Sequence, residues 1–240
     1  MRVQACTGRT ILSPCDLENF DYQVDPYIGC GHYCYYCYVL GRAETDWREE
    51  ILFHEEIAVR LDKELRVIPP QTIYMGWHTD PYQPCEEAWQ QTRQVLRVLA
   101  GKGFSASILT KSDLVLRDLD ILAAMPAASV SVSVAFSDEK IRGLFEANTP
   151  ETGARIAALE QIKAAGVGTA ALICPVVPQV TDVHPLIEQL DESAERIWVY
   201  GLSIPERSEP SWQNVAEILD SHFPDRKDRI AAAVFSREDA

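Results

Sequence analysis

The sequence predicts an α/β protein whose parallel strands form either an open doubly wound sheet or a curved partial barrel. Six apolar or alternating segments typical of strands are separated by segments with the periodicity of amphipathic helices. Proline and glycine fall at the junctions between the two kinds of segment. Strands joined by helical crossovers pair in parallel with right-handed connections. Both architectures place functional residues at the carboxyl ends of the strands.

The predicted strands begin with a short extended segment that leads into a cysteine-rich loop. The fourth strand alternates serine with valine, the pattern of a half-buried strand. In chain order the strands are 21–29, Thr72–Trp77, Phe104–Leu109, Ser129–Phe136, Val167–Cys174 and Arg196–Leu202.

The predicted helices occupy the intervals between these strands. Ile57, Leu61 and Leu65 recur at a spacing of four in the first helix, and Pro69 follows its end. Ser112 is an N-cap residue for the third helix, Pro150 suits the first turn of the fourth, and glycine at 166 ends that helix. In order the helices are 48–65, 86–99, 112–126, 149–166, 184–190 and 211–219.

Length and composition indicate a single compact domain over residues 1–240. Its core is expected at about 20–203, with a C-terminal helix and tail over 204–240. The 47% hydrophobic content suffices for a core, while no apolar stretch is long enough to span a membrane or to form a signal peptide. A cytoplasmic protein without membrane contact is therefore expected.

The net charge of −14 arises from 22 basic and 36 acidic residues. A surface of this sign repels phosphate backbones at long range, so a nucleic-acid substrate is disfavoured. A local basic groove on an acidic protein and a simple well-solvated surface are the two alternatives that the charge leaves open.

Seven cysteines are present, and an odd number in a chain of this kind argues against a disulfide framework. Cys30, Cys34 and Cys37 lie within eight residues, with the spacing C-x3-C-x2-C. Three thiolates on one tight loop can bind three irons of a cubane and leave the fourth iron open to a small molecule. A zinc site completed by His32 or a distant cysteine is one alternative. An electron-transfer cluster is another, although no fourth cysteine follows at a suitable local spacing.

The cysteine spacing, with Tyr36 just before the last cysteine, resembles the signature of the radical S-adenosylmethionine (radical SAM) superfamily. Further motifs resemble the branch of that family related to spore photoproduct lyase, and together they cover about Thr10 to Ser203. These motifs are Asp25-Pro26-Tyr27-Ile28-Gly29-Cys30, Cys37-Tyr38, Thr79 to Glu86, Thr110-Lys111-Ser112, Arg117-Asp118, and Pro175-Val176-Val177-Pro178 with the loop to Asp182.

The resemblance implies a partial (β/α)6 TIM-type barrel with parallel strands and a [4Fe-4S] cluster bound by Cys30, Cys34 and Cys37. It also implies that S-adenosylmethionine (SAM) is cleaved reductively, so that a 5′-deoxyadenosyl radical abstracts hydrogen from a substrate. A lyase or an oxidoreductase of unknown substrate is expected, reduced by an electron donor such as flavodoxin or ferredoxin.

The resemblance also suggests a set of cofactor-binding residues. Tyr36 is expected near the cluster and the adenine, unless it is an ordinary core aromatic. Thr79 and Asp80 correspond to contacts of the methionine end, Lys111 to a lysine that meets the cofactor, and Ser133 to a ribose contact. Arg155 suits the cofactor carboxylate, with Glu146 orienting it. The alternatives for Lys111 and Glu146 are a solvent-facing lysine and a surface glutamate.

The chain departs from photoproduct lyase where that enzyme carries a cysteine that returns hydrogen to its product. His78 stands near this position in the present chain. The sequence assigns no catalytic role to His78 or to His32. Cys85 or Cys174 could donate hydrogen instead, or each could be a buried free cysteine. No catalytic side chain is assigned. A DNA-lesion lyase and a non-catalytic zinc- or cluster-binding interaction module remain the alternatives to a radical SAM enzyme of unknown substrate.

Overall fold

A computed structural model of the chain describes residues 1–236, so the last residues of the predicted C-terminal tail, 237–240, lie outside the described residues. The strands are β1 (Arg2–Cys6), β2 (Leu12–Pro14), β3 (Tyr22–Val24), β4 (Tyr27–Ile28), β5 (Glu50–His54), β6 (Thr72–Met75), β7 (Ser105–Thr110), β8 (Ser129–Ser133), β9 (Gly168–Val176) and β10 (Arg196–Gly201). The helices are α1 (Ile57–Glu64), α2 (Glu86–Trp89), α3 (Gln91–Gly101), α4 (Leu119–Leu122), α5 (Glu139–Phe145), α6 (Thr152–Ala164), α7 (His184–Leu190), α8 (Pro210–His222) and α9 (Lys227–Phe235).

The main sheet has seven strands in the order β10-β9-β8-β7-β6-β3-β2. Strands β3, β6, β7, β8, β9 and β10 pair in parallel, and β2 pairs antiparallel with β3 at one edge. These six parallel strands correspond to the six predicted segments, although the predicted first strand 21–29 is divided into β3 in this sheet and β4 in another. Because β10 and β2 end the order without pairing with each other, the sheet is open. The predicted partial (β/α)6 TIM-type barrel is thus confirmed.

The two faces of this sheet differ in what covers them. The outer face, represented by Ile73, Ile108 and Val130, is fully buried in one core with residues of α1, α3, α6 and α7. The inner face carries Ser131 and Leu172, which are only partly buried. Alternation along each strand sends successive side chains to opposite faces, so the inner face presents a separate set of side chains that includes Ser131, Ser133 and Leu172.

A second, three-stranded sheet was not predicted from the sequence. In it β5 lies between β1, which is parallel, and β4, which is antiparallel. The predicted helix 48–65 is wrong in its first part, because Glu50–His54 forms β5 and the helix starts only at Ile57. The pairing partner of β5 is about fifty residues away in the chain, so local periodicity does not reveal it.

Several other boundaries also differ from the sequence predictions. The helix predicted over 86–99 is broken at Gln90, whose φ of +49° ends α2 and starts α3. Ser112 caps a 3₁₀ turn at Asp113–Asp118 before the short α4, rather than one long α-helix. Pro150 precedes α6, which begins at Thr152. Helices α5 and α9 were not predicted. Within residues 1–236, none of the helices combines the length and the hydropathy needed to cross a membrane.

Candidate functional site

The cysteine loop follows β4 at the carboxyl end of the short antiparallel pair. It begins at Gly29, which has a φ of +91° and whose added Cβ would lie 2.9 Å from Ile51 Cδ1. Only glycine therefore fits this turn without displacing its neighbours. The Cys30 carbonyl accepts the Tyr33 N–H at 3.1 Å, and the Cys34 carbonyl accepts the Cys37 N–H at 3.0 Å. Two consecutive turns thus separate the three cysteines, all of which are free thiols.

Gln83 fastens this loop to the segment after β6. Its amide nitrogen donates to the Gly29 carbonyl at 2.9 Å, and its amide oxygen accepts the Gly31 N–H at 2.7 Å. The Thr79 hydroxyl donates to the same Gly29 carbonyl at 2.7 Å. Gln83 is fully buried. It was not singled out from the sequence, although it lies inside the motif from Thr79 to Glu86.

Asp80 joins the carboxyl ends of β6 and β7. Its carboxylate accepts the Thr110 hydroxyl at 2.6 Å, the Lys111 N–H at 2.8 Å and the Tyr82 N–H at 2.8 Å. Thr79 and Asp80, both predicted to contact the cofactor, therefore already have protein partners. Their visible contacts hold the loop and the strand ends in place.

A buried cluster of charged and polar side chains lies beside the cysteine loop. Arg155 and Glu146 are both fully buried, and their NH2 and Oε2 atoms are 2.7 Å apart. The Tyr36 hydroxyl donates to Glu146. Lys111 Nζ lies 3.9 Å from Glu146 Oε1 and donates to Ser133 Oγ at 2.8 Å. The fold thus brings together four predicted site residues and Glu146, which come from five separate parts of the chain.

The ionisation of this cluster follows from opposing effects. Burial disfavours the Glu146 carboxylate, but Arg155 and Lys111 hold its pKa below the ordinary value. Burial likewise opposes the charge of Lys111, yet Glu146 and nearby groups hold its pKa above the ordinary value. Two cations therefore face one carboxylate. The cluster has an excess positive charge available for an anionic group.

Arg155 has little capacity left for a ligand. Its Nε donates to the Pro150 carbonyl at 2.9 Å, its NH1 donates to the Ser133 carbonyl at 3.0 Å, and its NH2 reaches Thr149 and Glu146. Three of the five guanidinium donors thus have hydrogen-bond acceptors, and NH2 also forms an ion pair with Glu146. Lys111 has a single hydroxyl acceptor, so it is the cation with free donors.

Burial disfavours proton release from the three thiols of the loop. Burial raises the pKa of Cys30 to about 12 and that of Cys34 well above its ordinary value. Burial also raises the pKa of Cys37. Because burial disfavours a bare thiolate, the thiolate form would need a cationic metal as a partner.

The donor set fits a cluster better than a single ion. No three Cys, His, Asp or Glu side chains in the described part of the chain converge on a point where they could share one metal ion. A structural zinc site requires such convergence. The thiolates of a cubane surround one cluster but stand farther apart, because each binds a different iron.

The two remaining candidate cysteines lie in different places. Cys174 stands near the end of β9, on the same side as Leu172, and its carbonyl accepts Ser133 Oγ at 3.3 Å. The charges of Lys111 and Glu146 act on its thiol, whose pKa is raised chiefly by burial. Cys85 instead packs with Tyr27 in the small hydrophobic cluster around Trp47. Cys174 is therefore associated with the charged cluster and Cys85 with a packing core.

Both unassigned histidines have defined surroundings. His78 Nδ1 lies 2.9 Å from Asp25 Oδ2, and this hydrogen bond raises the pKa of His78. His32, between Cys30 and Cys34, is buried, which lowers its pKa. The pairing of His78 with Asp25 could not be derived from the sequence, since the two residues are about fifty positions apart.

The motif Arg117-Asp118 belongs to a buried ion network behind the loop. The Arg117 guanidinium lies 2.7 Å from Asp118 and also contacts Glu86, and both carboxylates are fully buried. Tyr27, which precedes the cysteine loop, donates its hydroxyl to Glu86. The network links β4, α2 and the turn after β7, and so it supports the position of the loop.

Comparison with known proteins assigns this arrangement to a family. The model of the radical SAM superfamily matches residues 24–190, which include the cysteine loop and the charged cluster. The chain belongs to the radical SAM superfamily. Members of this superfamily use a [4Fe-4S] cluster and SAM, and the match confirms the predicted family and cofactors.

Radical SAM relatives of this chain include proteins without an assigned activity. An uncharacterized protein of Mycobacterium tuberculosis is 33% identical over 202 residues, which cover 77% of this chain and 59% of that protein. An uncharacterized protein of Methanocaldococcus jannaschii is 29% identical over 181 residues, covering 73% and 68%. The chain thus spans 59% of the length of its mycobacterial relative.

Solved radical SAM structures share the fold at low sequence identity. A spore photoproduct lyase mutant with dinucleoside spore photoproduct has a TM-score of 0.65 and 13% identity, covering 97% of this chain and 79% of that one. Streptococcus suis SuiB bound to S-adenosylmethionine has a TM-score of 0.56 and 13% identity, covering 90% and 52%. The predicted likeness to the photoproduct lyase branch is confirmed at the level of the fold.

Proposed function

We propose that this chain is a radical SAM enzyme in which Cys30, Cys34 and Cys37 bind the [4Fe-4S] cluster. The observation that carries the proposal is the loop of three free thiols next to the buried cluster of Tyr36, Glu146, Arg155 and Lys111. When bound, the cluster and SAM supply a 5′-deoxyadenosyl radical for hydrogen abstraction from the substrate. A one-electron donor such as flavodoxin or ferredoxin is needed as a partner.

Lys111 is the residue that we assign to the carboxylate of SAM. Its ammonium group is positively charged, only partly satisfied and next to Ser133, whose hydroxyl orients it. Arg155 was expected to bind this carboxylate directly, but most of its donors already have protein acceptors. We therefore assign Arg155 and Glu146 to positioning Lys111 and Tyr36.

Thr79 and Asp80 have a positioning role in this proposal. The Thr79 hydroxyl and Gln83 hold the backbone at Gly29, directly before the first cysteine. Asp80 holds the backbone of Lys111 through its N–H group. The loop and the lysine are thereby kept in a fixed relation before any cofactor binds, which reduces the entropy lost on binding.

If the reaction requires a hydrogen donor from the protein, Cys174 is the better candidate of the two cysteines. It lies near Ser133 and Lys111, whereas Cys85 is enclosed with Tyr27 and Trp47. A DNA-lesion substrate is not favoured, since the net charge of −14 opposes the approach of a phosphate backbone.

The test is oxygen-free reconstitution with iron and sulfide, followed by reduction with dithionite in the presence of SAM. We expect about four irons per chain and 5′-deoxyadenosine in the chromatogram. Cys34→Ala should lose both, while the matched control Cys85→Ala should retain the iron. Full cleavage activity in oxygen-free Cys34→Ala, or tight zinc without 5′-deoxyadenosine in the wild type, would overturn the assignment.

A further inference from the structure

The two edges of the main sheet are unequally protected. At one edge, β2 is only three residues long and ends in Pro14, which has no N–H to offer a neighbour. At the other edge, β10 exposes Trp198, Val199 and Tyr200 in succession, with 48%, 50% and 50% of their surfaces accessible. Soluble proteins usually protect such an edge with charges, proline or a covering segment. The edge at β10 is therefore an exposed apolar surface on which another strand could pair.

The main chain of β10 is available for pairing. The Glu195 N–H donates to the Thr169 carbonyl of the neighbouring chain segment at 3.2 Å. Because hydrogen-bonding groups alternate in direction along a strand, the N–H groups of Arg196 and Trp198 point away from β9. In the part of the chain that the structure describes, no strand pairs with this side of β10. The edge thus offers unpaired donors and acceptors at strand spacing.

This edge is continuous with the candidate site. Trp198 pairs in register with Leu172, and Leu172 pairs with Ser133, which contacts Lys111. Trp198 consequently lies on the inner face of the sheet, in the same row as a proposed site residue. A strand added to β10 would extend the inner face of the sheet and direct every second side chain to that face.

Acidic residues lie on the opposite side of the opening. Asp16, Glu18 and Asp21 belong to the connection between β2 and β3, the strands that form the other edge of the open sheet. Because β10 and β2 end the strand order of the open sheet, the β10 edge and the acidic connection next to β2 border its two sides.

We propose that β10 binds an extended basic peptide segment as an additional strand, and that this segment carries the residue on which the enzyme acts. A polypeptide main chain supplies the alternating N–H and C=O groups that the free edge of β10 requires. The acidic connection and the net charge of −14 favour a basic segment over an acidic one. The same charge opposes the pairing of two copies of this chain through β10. The inference rests on the proposed function, since it names the substrate class for that site.

The probe is a fluorescein-labelled eight-residue peptide of alternating lysine and threonine, titrated with the cluster-loaded enzyme and followed by fluorescence anisotropy. We expect it to bind at least tenfold more tightly than the corresponding glutamate–threonine peptide. N-methylation of alternate peptide nitrogens should weaken binding at least tenfold, because a methylated nitrogen cannot donate to a strand edge. Trp198→Ala and Tyr200→Ala should each weaken binding severalfold. Val67→Ser is the matched control, since Val67 is 85% exposed on a turn away from β10 and should not alter binding.

Three outcomes would overturn the inference. Equal binding of the N-methylated peptide would exclude main-chain pairing, and equal binding of the acidic peptide would exclude the charge preference. A dimer seen in sedimentation that dissociates in Val199→Lys would show that β10 pairs with a second copy instead. Formation of 5′-deoxyadenosine without peptide is measured in parallel. An enzyme that cleaves SAM but does not bind the basic peptide contradicts only this inference, and one that binds the peptide without cleaving SAM contradicts only the proposed function.

Discussion

At the scale of single residues, the two cations of the buried cluster have different environments. Arg155 is fully buried and held by backbone carbonyls, whereas Lys111 keeps part of its surface and most of its donors. A buried charge with complete hydrogen bonding is a structural group, and one with free donors can bind a ligand. The same cluster therefore supports one prediction about binding and another about stability.

Lys111→Ala should weaken SAM binding about tenfold, because a hydrogen bond between charged groups contributes about 1.5–3 kcal/mol. The bound iron should remain unchanged. The measurement is equilibrium binding of SAM to the reconstituted enzyme, with iron determined on the same sample. Lys140→Ala, at an exposed lysine of α5, is the control. Wild-type affinity in Lys111→Ala would remove this lysine from the site.

Arg155→Ala should destabilise the protein by about 3–5 kcal/mol, since it leaves the Glu146 carboxylate buried without its strongest partner. Urea unfolding of the apoprotein gives this value directly. The double variant Arg155→Ala with Glu146→Gln should recover part of the loss, because no bare carboxylate then remains. If Arg155→Ala were as stable as the wild type, Arg155 and Glu146 would not form a stabilising ion pair.

His78 should make stability depend on pH. Its hydrogen bond to Asp25 raises the folded-state pKa above the ordinary value of about 6.5. The stabilisation is therefore complete below that ordinary value and is lost as the pH rises through the folded pKa. The difference in Tm between wild type and His78→Gln should be larger at pH 5.5 than at pH 8.5. A difference that grows with pH would contradict the pairing.

At the scale of structural elements, the position of the cysteine loop depends on a neighbour from another part of the chain. Gln83 lies in the turn between β6 and α2, yet it bonds both Gly29 and Gly31. The network of Glu86, Arg117 and Asp118 then holds that turn against the segment after β7. The loop conformation is thus set by packing between elements, not by the loop sequence alone.

Gln83→Leu should leave the three thiols in place but loosen the loop. The Gly31 N–H would lose its buried partner, at a cost of about 1–3 kcal/mol, while the Gly29 carbonyl would keep only the Thr79 hydroxyl. Iron should therefore be lost severalfold faster to a chelator under oxygen-free conditions. Gln161→Leu, on the exposed face of α6, is the matched control. An unchanged rate of iron loss would mean that Gln83 does not support the loop.

At the scale of the whole molecule, charge and the open sheet act together. The net charge of −14 repels polyanions, while the unclosed sheet leaves the inner face accessible from the side between β10 and β2. Photoproduct lyase and SuiB share this fold with the chain at 13% identity. Likeness of fold at this level does not transfer a substrate, so the substrate must be decided by charge and by the residues around the opening.

Labelled duplex and single-stranded DNA should not bind at physiological salt. So acidic a surface offers few cations to neutralise phosphates, so few counterions would be released and the main driving force for DNA binding is missing. Anisotropy titration up to about 10 µM protein checks this, within the range where non-specific DNA binding is usually detectable. Tight binding that falls steeply with added salt would instead reveal a basic groove and revive the lesion-repair alternative.

The sequence by itself determined the parallel strands and the C-x3-C-x2-C loop, because each is encoded by periodicity or spacing within a short segment, and it indicated the family through the resemblance of its motifs. It also indicated Tyr36, Lys111, Ser133, Arg155 and Glu146 as a set, but only through resemblance. Only the tertiary structure decided that Arg155 is already satisfied, that Gln83 fastens the loop, and that β5 pairs with β1. These contacts join residues about twenty to fifty positions apart, and their partners are selected by how the elements pack. Local sequence contains the chemical groups, but the fold decides which of them meet.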